Sequence, residues 1–434
     1  MRDTDCQPVR GIPAGRIRHL RENGLIRAPG IPYARAARWQ LPQPLPAMDI
    51  DATRPARACP QLPVPRLDAA LPGAFGAIRF AEDCLDLSVT APEDGRDLPV
   101  LVWLHGGSYE SGAADMAVFD PAVLVAEQRV VFVAVSYRLG LFGWLSGAGR
   151  PANPGAFDVI AALRWVARNI AGFGGDPGRV TLFGQSSGGD LAVRLMVSPQ
   201  ARGLFHRAII QSAPLHLPLK AGRMRRAMRR AAAAPGAGSG PQASTEEVLA
   251  RQAMVRRAAR RFGLAGQMPF GVEFGAAPFP EEGDLPRAHA EIAADIPVMI
   301  GHLRDEAALF LPPAQGRLGQ AAGPLRRAAV SALTRRLYAR PAQEFAARHA
   351  AAGGRAARFV IDRGEGAYGA AHLADLPLIF PGPDWLGTPL VGAAATPDAL
   401  RRAGAPLRAL WAGFARDGQV GADVPGLIRF PDRP

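Results

Sequence analysis

The sequence is poor in cysteine, has almost no lysine and contains no long apolar run. Its three cysteines, Cys6, Cys59 and Cys84, are too few for a disulfide scaffold and too widely spaced for a zinc site. No stretch approaches the ~20 apolar residues that span a bilayer, and the first residues lack the apolar core of a signal peptide. We therefore expect a cytoplasmic protein with no membrane partner and no bound metal.

Arginine carries nearly all of the positive charge. Lys220 is the only lysine, although Lys and Arg together number 51 against 38 Asp and Glu, for a formal net charge of +13. The arginines are spread along the chain beside abundant alanine, glycine and proline and are not grouped into a binding stripe. A distribution of this kind bears on solubility rather than on recognition of phosphates. We predict that nucleic acid is not a partner.

Short β-branched runs alternate with helical patterns from about residue 98 onward. Such alternation is typical of βαβ units around a mostly parallel sheet flanked by helices. Apolar residues at helical spacing predict a helix over residues 157–173, and a second helix is predicted over 190–197. The predicted strands are residues 99–104, 130–135, 179–183, 296–300 and 358–361.

The chain is predicted to form one catalytic domain over residues 1–434. Residues 214–295 contain Arg and Ala at helical spacing, interrupted by a Pro/Gly/Ser segment at 235–242. This composition is typical of an exposed helical excursion with a turn in its middle. Because the strand pattern resumes directly afterwards, we interpret the segment as an insertion within the domain rather than as a second domain.

The pentapeptide Gly184-Gln185-Ser186-Ser187-Gly188 fits the G-x-S-x-G pattern of a nucleophile elbow. It directly follows the third predicted strand and opens a helix, which is the context that the motif requires. The flanking glycines leave room for a strained backbone that lifts the serine hydroxyl clear of the sheet. The pattern predicts an α/β-hydrolase fold with Ser186 as the catalytic nucleophile.

The loop after the first predicted strand is a candidate oxyanion hole. Attack of a serine on an ester places negative charge on the carbonyl oxygen, which then needs hydrogen-bond donors. Gly106 and Gly107 permit close approach of their backbone N–H groups, and the N–H of Ser187 is a third candidate donor. We assign His105 a structural role, because the base of this fold follows the elbow in the chain.

The general base is sought among four histidines beyond the elbow. His349 lies in an Ala- and Arg-rich helical run and is interpreted as part of a solvated face, and His289 has no strand end nearby. His372 follows the last predicted strand through a glycine-rich loop that can carry it to the edge of the sheet. The four candidates are His289, His302, His349 and His372.

The acid that orients the base is sought in the loop after the strand at 296–300. Asp305 and Glu306 both lie in this loop, and both follow the nucleophile in the order that the fold requires. Spacing alone does not choose between them.

Motifs that occur in a fixed order along much of the chain indicate a family. The chain resembles the type-B carboxylesterases, the group that includes the cholinesterases and bacterial para-nitrobenzyl esterases. The motifs are Gly30-Ile31-Pro32-Tyr33-Ala34, Cys59-Pro60-Gln61, Glu82-Asp83-Cys84-Leu85, Ser136-Tyr137-Arg138-Leu139-Gly140 and the run 162–189 that ends in the elbow.

The resemblance implies roles for particular residues. It places the triad acid on Glu306 and the base on His372, and it suggests the Ser212 hydroxyl as a neighbour of the acid. It also pairs Cys59 with Cys84 in a disulfide, which forms only in an oxidising compartment; reduced thiols there would serve as small apolar residues. The implied activity is hydrolysis of small-molecule carboxylic esters through an acyl-enzyme, without metal or organic cofactor.

Two positions of the elbow depart from the family pattern. Family members usually have Glu and Ala where this chain has Gln185 and Ser187. Because the carboxylate beside the nucleophile is missing, we expect neutral rather than cationic esters as substrates. Two other functions stay open: an amidase or thioesterase on the same fold, since acyl-transfer parts are shared, and a non-catalytic, cholinesterase-like interaction module.

Overall fold

A sheet of twelve strands runs through the part of the chain that the computed structural model describes, residues 8–76, 78–236, 238, 240–311 and 323–432. Cys6 lies outside these residues. The strands of the chain are β1 (Val9–Ile12), β2 (Gly15–Glu22), β3 (Leu25–Pro32), β4 (Ala34–Arg35), β5 (Gln43–Pro44), β6 (Ile50–Ala52), β7 (Asp86–Pro92), β8 (Leu98–Leu104), β9 (Val131–Val135), β10 (Gly175–Gln185), β11 (Arg207–Gln211), β12 (Val298–Leu303), β13 (Ala356–Ile361) and β14 (Ile428–Arg429).

The middle of the sheet is parallel and its two ends are antiparallel. The order is β1-β2-β3-β7-β9-β8-β10-β11-β12-β13-β14, with β6 beside β2, and β4 and β5 form a separate pair. In this order, each neighbouring pair from β9 to β13 is parallel. Each neighbouring pair from β1 to β9 is antiparallel, and so is the last pair, β13 with β14. The mostly parallel centre confirms the predicted fold class. It also brings the carboxyl ends of β8, β10, β12 and β13 to one edge.

Both faces of the parallel strands are buried. Along β8, Val100 and Val102 belong to one apolar cluster while Leu101 and Trp103 belong to a second, and all four are fully buried. Burying each such side chain contributes roughly 1.5–3 kcal/mol. The sheet is therefore a middle layer between two cores, which explains why its strands are near-continuous apolar runs.

Helices cover both faces of the sheet. The predicted helix at 157–173 is α4, which gives way to a 3-10 turn, Ile170–Phe173, before Gly174 takes a left-handed φ of 78°. None of the described helices is long and apolar enough to cross a membrane. The helices are α1 (Pro65–Ala70), α2 (Ala122–Gln128), α3 (Gly140–Gly143), α4 (Pro154–Asn169), α5 (Ser187–Met196), α6 (Gly222–Ala233), α7 (Thr245–Arg260), α8 (Leu285–Ala290), α9 (Gly323–Thr334), α10 (Arg340–Ala351), α11 (Leu376–Ile379) and α12 (Pro397–Asp417).

Helices α6, α7 and α8 occupy the segment between β11 and β12 in which a helical excursion was predicted. Helix α7 begins with a capping box in which the Ser244 hydroxyl accepts from the Glu247 N–H, while the Glu247 carboxylate accepts from the Ser244 N–H. Met228 of α6 and Val255 of α7 are fully buried in the same cluster as one face of the sheet. The excursion thus shares the core of the sheet.

Candidate active site

Ser186 lies in a sharp turn between β10 and α5. Its backbone has φ 56° and ψ −122°, a strained conformation for a residue with a side chain. The turn closes only because its flanking residues are glycines. A Cβ on Gly184 would lie 2.4 Å from the Gly188 carbonyl oxygen, and one on Gly188 would lie 2.1 Å from that of Leu104. This geometry presents Ser186 at the start of a helix, where the helix dipole favours negative charge.

Glu306 and His372 form a buried pair at the same edge of the sheet. Glu306 begins the 3-10 turn Glu306–Phe310 after β12, and His372 lies in the loop after β13. The His372 Nδ1 atom is 2.5 Å from Glu306 Oε2, and Glu306 Oε1 accepts a hydrogen bond of 2.8 Å from the Leu303 N–H. A neutral imidazole whose Nδ1–H donates to a carboxylate has Nε2 as its unprotonated nitrogen.

The contacts of Asp305 separate it from its neighbour Glu306. Asp305 keeps 36% of its side chain exposed and lies 3.0 Å from the Arg304 guanidinium, whereas Glu306 is fully buried against His372. Geometry therefore distinguishes the two carboxylates that spacing in the sequence left equal.

The Nε2 side of His372 faces the elbow. Its Nε2 atom is 3.2 Å from Gln185 Nε2, in the residue directly before Ser186. Ser186, Gln185 and His372 line one cavity of about 280 Å³. No hydrogen bond joins the Ser186 hydroxyl to a described residue. Catalytic hydrogen bonds are often long or poorly aligned before substrate binds, and Ser186 and His372 share this cavity without a direct hydrogen bond.

The glycine loop after β8 lies against the nucleophile. A Cβ on Gly106 would lie 3.1 Å from the Ser186 Cβ and 2.5 Å from Gln185 Oε1. Gly107 has a φ of 111°, which favours glycine. The structure thus brings Gly106 and Gly107 beside Ser186, and Ser187 follows as the first residue of α5, whose N–H is free of the helix ladder.

His105 packs within this loop, in keeping with the structural role predicted for it. Its ring stacks on Tyr137 with centroids 4.6 Å apart, and the Tyr137 hydroxyl donates to the His105 carbonyl oxygen at 2.9 Å. Burial lowers the pKa of His105 to about 4, which keeps the ring neutral at physiological pH.

A second buried carboxyl group, absent from the sequence prediction, lies beside the pair. Asp375 is fully buried, and its Oδ2 accepts a hydrogen bond from Gln211 Nε2. Burial, and then the charge of Glu306, raises the pKa of Asp375 to about 7. Its position three residues after His372 was the available signal, since both belong to one loop.

Ser212 sits at the end of β11 with a φ of 53°, and its N–H donates to the Gly301 carbonyl oxygen at 2.8 Å. Its buried hydroxyl has no hydrogen-bond partner among the described residues, Glu306 included. The role suggested for Ser212 beside the acid stays a prediction.

Cys59 and Cys84 are free, buried thiols and not the disulfide that the resemblance implied. The Cys59 sulfur accepts a hydrogen bond of 3.2 Å from the Leu139 N–H. Hydrogen bonding to Cys59, together with burial, raises the pKa of the Cys84 thiol well above its usual range. Cys84 therefore remains protonated, and both cysteines pack as small residues in the apolar cluster that contains Val100 and Val102.

The interpretation of His349 as a solvated residue was wrong. His349 is fully buried: its Nδ1 is 2.8 Å from His289 Nε2 and its Nε2 is 2.9 Å from the Ile296 carbonyl oxygen. Burial lowers the pKa of both imidazoles. His302 is buried within β12, and its Nδ1 lies 2.9 Å from the Leu303 carbonyl oxygen. None of the three lines the cavity at Ser186.

The sheet order, the strained serine turn and the buried His–Glu pair define a protein of the α/β-hydrolase class. Residues 9–347 match the carboxylesterase family, and the chain belongs to that family. The chain is an ester hydrolase, and the family predicted from its motifs is confirmed.

Named relatives and solved structures agree with this assignment. The chain is 37% identical over 409 residues to a probable N-octanoylanthranilate hydrolase of Rhodococcus erythropolis, covering 90% of this chain and 89% of that protein. It is 35% identical over 322 residues to the para-nitrobenzyl esterase of Bacillus subtilis, covering 69% of this chain and 63% of that protein. A solved thermophilic para-nitrobenzyl esterase superposes with a TM-score of 0.79 at 27% identity, over 97% of this chain and 93% of that one.

Proposed function

We propose that the protein hydrolyses small to medium carboxylic esters through an acyl-enzyme, with Ser186 as nucleophile, His372 as general base and Glu306 as the orienting acid. The observation that carries this proposal is the 2.5 Å contact between His372 Nδ1 and Glu306 Oε2, which leaves Nε2 facing the elbow. A serine hydroxyl is a weak nucleophile unless such a base removes its proton.

In the first half-reaction the Ser186 oxygen attacks the ester carbonyl carbon while His372 Nε2 takes the hydroxyl proton. For this transfer the Ser186 hydroxyl must first come within reach of Nε2, in place of the Gln185 amide that now lies 3.2 Å from this atom. The imidazolium, paired with Glu306, returns the proton to the leaving alcohol. Water next attacks the acyl-enzyme by the same route, so His372 acts once as base and once as acid in each half.

Backbone N–H groups are the proposed hydrogen-bond donors that stabilise the negative charge on the carbonyl oxygen. The proposed donors are the N–H groups of Gly106, Gly107 and Ser187; Gly106 packs against Ser186, Gly107 lines the same cavity, and Ser187 follows Ser186 as the first residue of α5. Loss of one such donor costs on the order of 3 kcal/mol in transition-state stabilisation. No metal or organic cofactor has a step in this scheme.

Hydrolysis of N-acyl substrates is a second candidate. The relative in Rhodococcus erythropolis is named for an N-octanoyl compound and matches this chain over 90% of its length. The same groups serve an amide, provided that His372 protonates the departing nitrogen. A purely non-catalytic role is less favoured, because serine, imidazole and carboxylate positions are all filled and His372 contacts Glu306 directly.

Replacement of the nucleophile tests the proposal. Ser186→Ala is expected to abolish turnover of p-nitrophenyl butyrate and stoichiometric labelling by an organophosphate. The matched control is Ser198→Ala, which removes another buried hydroxyl without a partner but lies outside the cavity. Activity of Ser186→Ala near that of the unmodified protein would refute the assignment. An N-acyl anthranilate in the same assay decides the second candidate.

A further inference from the structure

The cavity above Ser186 is strongly positive. Besides Ser186 and His372, its ionisable lining residues are Arg66, Arg256, Arg260 and Glu110. Three guanidinium groups therefore face at most one carboxylate, and the remaining lining side chains are apolar or uncharged. A cavity of about 280 Å³ keeps every part of a small substrate near these charges.

Arg256 is fixed in the cavity wall. It belongs to α7, and only 18% of its side chain is exposed. Its Nη1 donates to the Pro63 carbonyl oxygen at 3.2 Å, and its Nε lies 3.1 Å from Glu110 Oε1. A guanidinium held by two neighbours loses little conformational freedom when it binds a further anion.

Arg260 adds a second guanidinium one turn further along α7. Residues four apart lie on the same face of a helix, so both arginines face the cavity. Arg260 is exposed and forms no ion pair with any residue that the structure describes. Among the described residues its charge is therefore offset by no ion pair, although it acts electrostatically on Glu110.

Glu110 compensates only part of this positive charge. Its side chain is 5% exposed, and its Oε1 accepts no hydrogen bond although Arg256 is close. Burial raises the pKa of Glu110 to about 7 despite the neighbouring arginines, so this carboxyl is incompletely ionised near neutral pH. The charge of the wall therefore lies between +2 and +3.

We propose that Arg256 and Arg260 bind an anionic group of the substrate, a carboxylate on its acyl or its alcohol part, and thereby set specificity. The inference rests on the proposed function, since it names the substrate class of the same cavity. It departs from the neutral substrates expected from Gln185, because the wall adds positive charge to a site that already lacks the family's carboxylate. Guanidinium groups bind carboxylates through charge-assisted hydrogen bonds, whereas they repel a cationic substrate.

The test compares pairs of similar esters in which one member carries a carboxylate and the other is neutral. For the acyl side, mono-p-nitrophenyl glutarate is paired with p-nitrophenyl butyrate; for the alcohol side, 4-acetoxybenzoate is paired with its methyl ester. The readout is the ratio of kcat/KM, anionic over neutral, for each pair. The pair whose ratio responds to the variants identifies the side of the substrate that carries the carboxylate.

Three variants of the cavity wall are expected to change the kcat/KM ratio, two lowering it and one raising it, and one control variant is expected to leave it unchanged. R256Q/R260Q is expected to lower the ratio for one pair about 10- to 100-fold, mainly through KM, as loss of charge-assisted hydrogen bonds implies. R260Q alone lowers it less. E110Q removes the competing carboxylate and raises it. The control R257Q removes one arginine from the exposed face of the same helix, outside the cavity, and leaves the ratio within twofold.

The proposal is overturned if the kcat/KM ratio of both pairs is unchanged in R256Q/R260Q and in R260Q. It is also overturned if the ratio falls as much in the control R257Q as in R256Q/R260Q. Because Arg260 is exposed, R260Q is expected to fold even if the double variant does not. E110Q is a further check, since it should change the kcat/KM ratio in the opposite direction. Ser186-dependent turnover of neutral esters with an unresponsive ratio refutes this inference alone. Absence of both turnover and organophosphate labelling refutes the proposed function and this inference together.

Discussion

The Asp375 carboxyl is expected to lower the free energy of unfolding as pH rises, and Asp375→Asn should remove that effect. The side chain is fully buried, and its pKa of about 7 exceeds the ~3.9 of an unfolded Asp. Between these two values the folded state holds a proton that the unfolded state has released. Stability contributed by this group is therefore complete below the unfolded pKa and is lost as pH rises through the folded pKa.

The magnitude follows from the two pKa values. At ~1.4 kcal/mol per pKa unit, the loss between pH 5 and pH 8 amounts to roughly 2–3 kcal/mol. Asparagine keeps the size of the side chain, and its oxygen can accept the hydrogen bond that Gln211 Nε2 now donates to Asp375. Its added N–H donors impose a cost of roughly 1–3 kcal/mol if they stay unpaired, but this cost is the same at both pH values and cancels in the comparison.

Urea unfolding at pH 5.0 and pH 8.0 measures the effect. The free energy of unfolding of Asp375→Asn, relative to the unmodified protein, should be higher at pH 8.0 than at pH 5.0 by roughly 2–3 kcal/mol. Asp94→Asn, a change at a side chain that is 74% exposed, is the control and should show no such difference. A relative stability of Asp375→Asn that is equal at the two pH values, or lower at pH 8.0, refutes the reasoning.

Two further predictions concern the acid and the core. Glu306→Gln should lower kcat for p-nitrophenyl butyrate by about 10³- to 10⁴-fold, by analogy with amide replacement of a protease triad carboxylate, whereas Asp305→Asn should cost only a few-fold; the reverse pattern would move the acid by one residue. Asp158→Ala should lower the urea unfolding free energy by about 3–5 kcal/mol, because it leaves the Arg138 guanidinium, 4% exposed and now 2.6 Å from Asp158, as an unpaired buried charge. A loss below about 1 kcal/mol would show that solvent reaches that charge.

The parallel strands could be predicted because burial on both faces makes them continuous apolar runs. The prediction for 99–104 corresponds to β8, Leu98–Leu104, and that for 130–135 to β9, Val131–Val135. The antiparallel strands at the other end were not predicted. In β2, arginines alternate with Ile17 and His19, which are its buried residues. That period of two was present in the sequence, but its low apolar content hid it.

Parts of the site formed by residues close in sequence could be predicted, whereas contacts between residues distant in sequence could not. The elbow and the glycine loop are local patterns, so their residues could be named. The contact of Gln185 with His372 and that of Gln211 with Asp375 join residues more than 160 positions apart, and no local pattern encodes them. The error at His349 was avoidable, because Ala342, Phe345, Ala346 and His349 are buried at the i, i+3, i+4, i+7 spacing of one helical face.

The proposed catalytic residues and part of the cavity wall belong to different elements of the fold, which bears on how this enzyme could be redesigned. Ser186 directly follows β10, Glu306 follows β12 and His372 lies in the loop after β13, whereas residues 64–67 and two arginines of α7 contribute to the cavity wall. A mutant library confined to these wall positions can therefore vary substrate preference while the three proposed catalytic residues keep their spacing. New substrate selectivity would then be sought by substituting cavity-wall residues on an unchanged sheet.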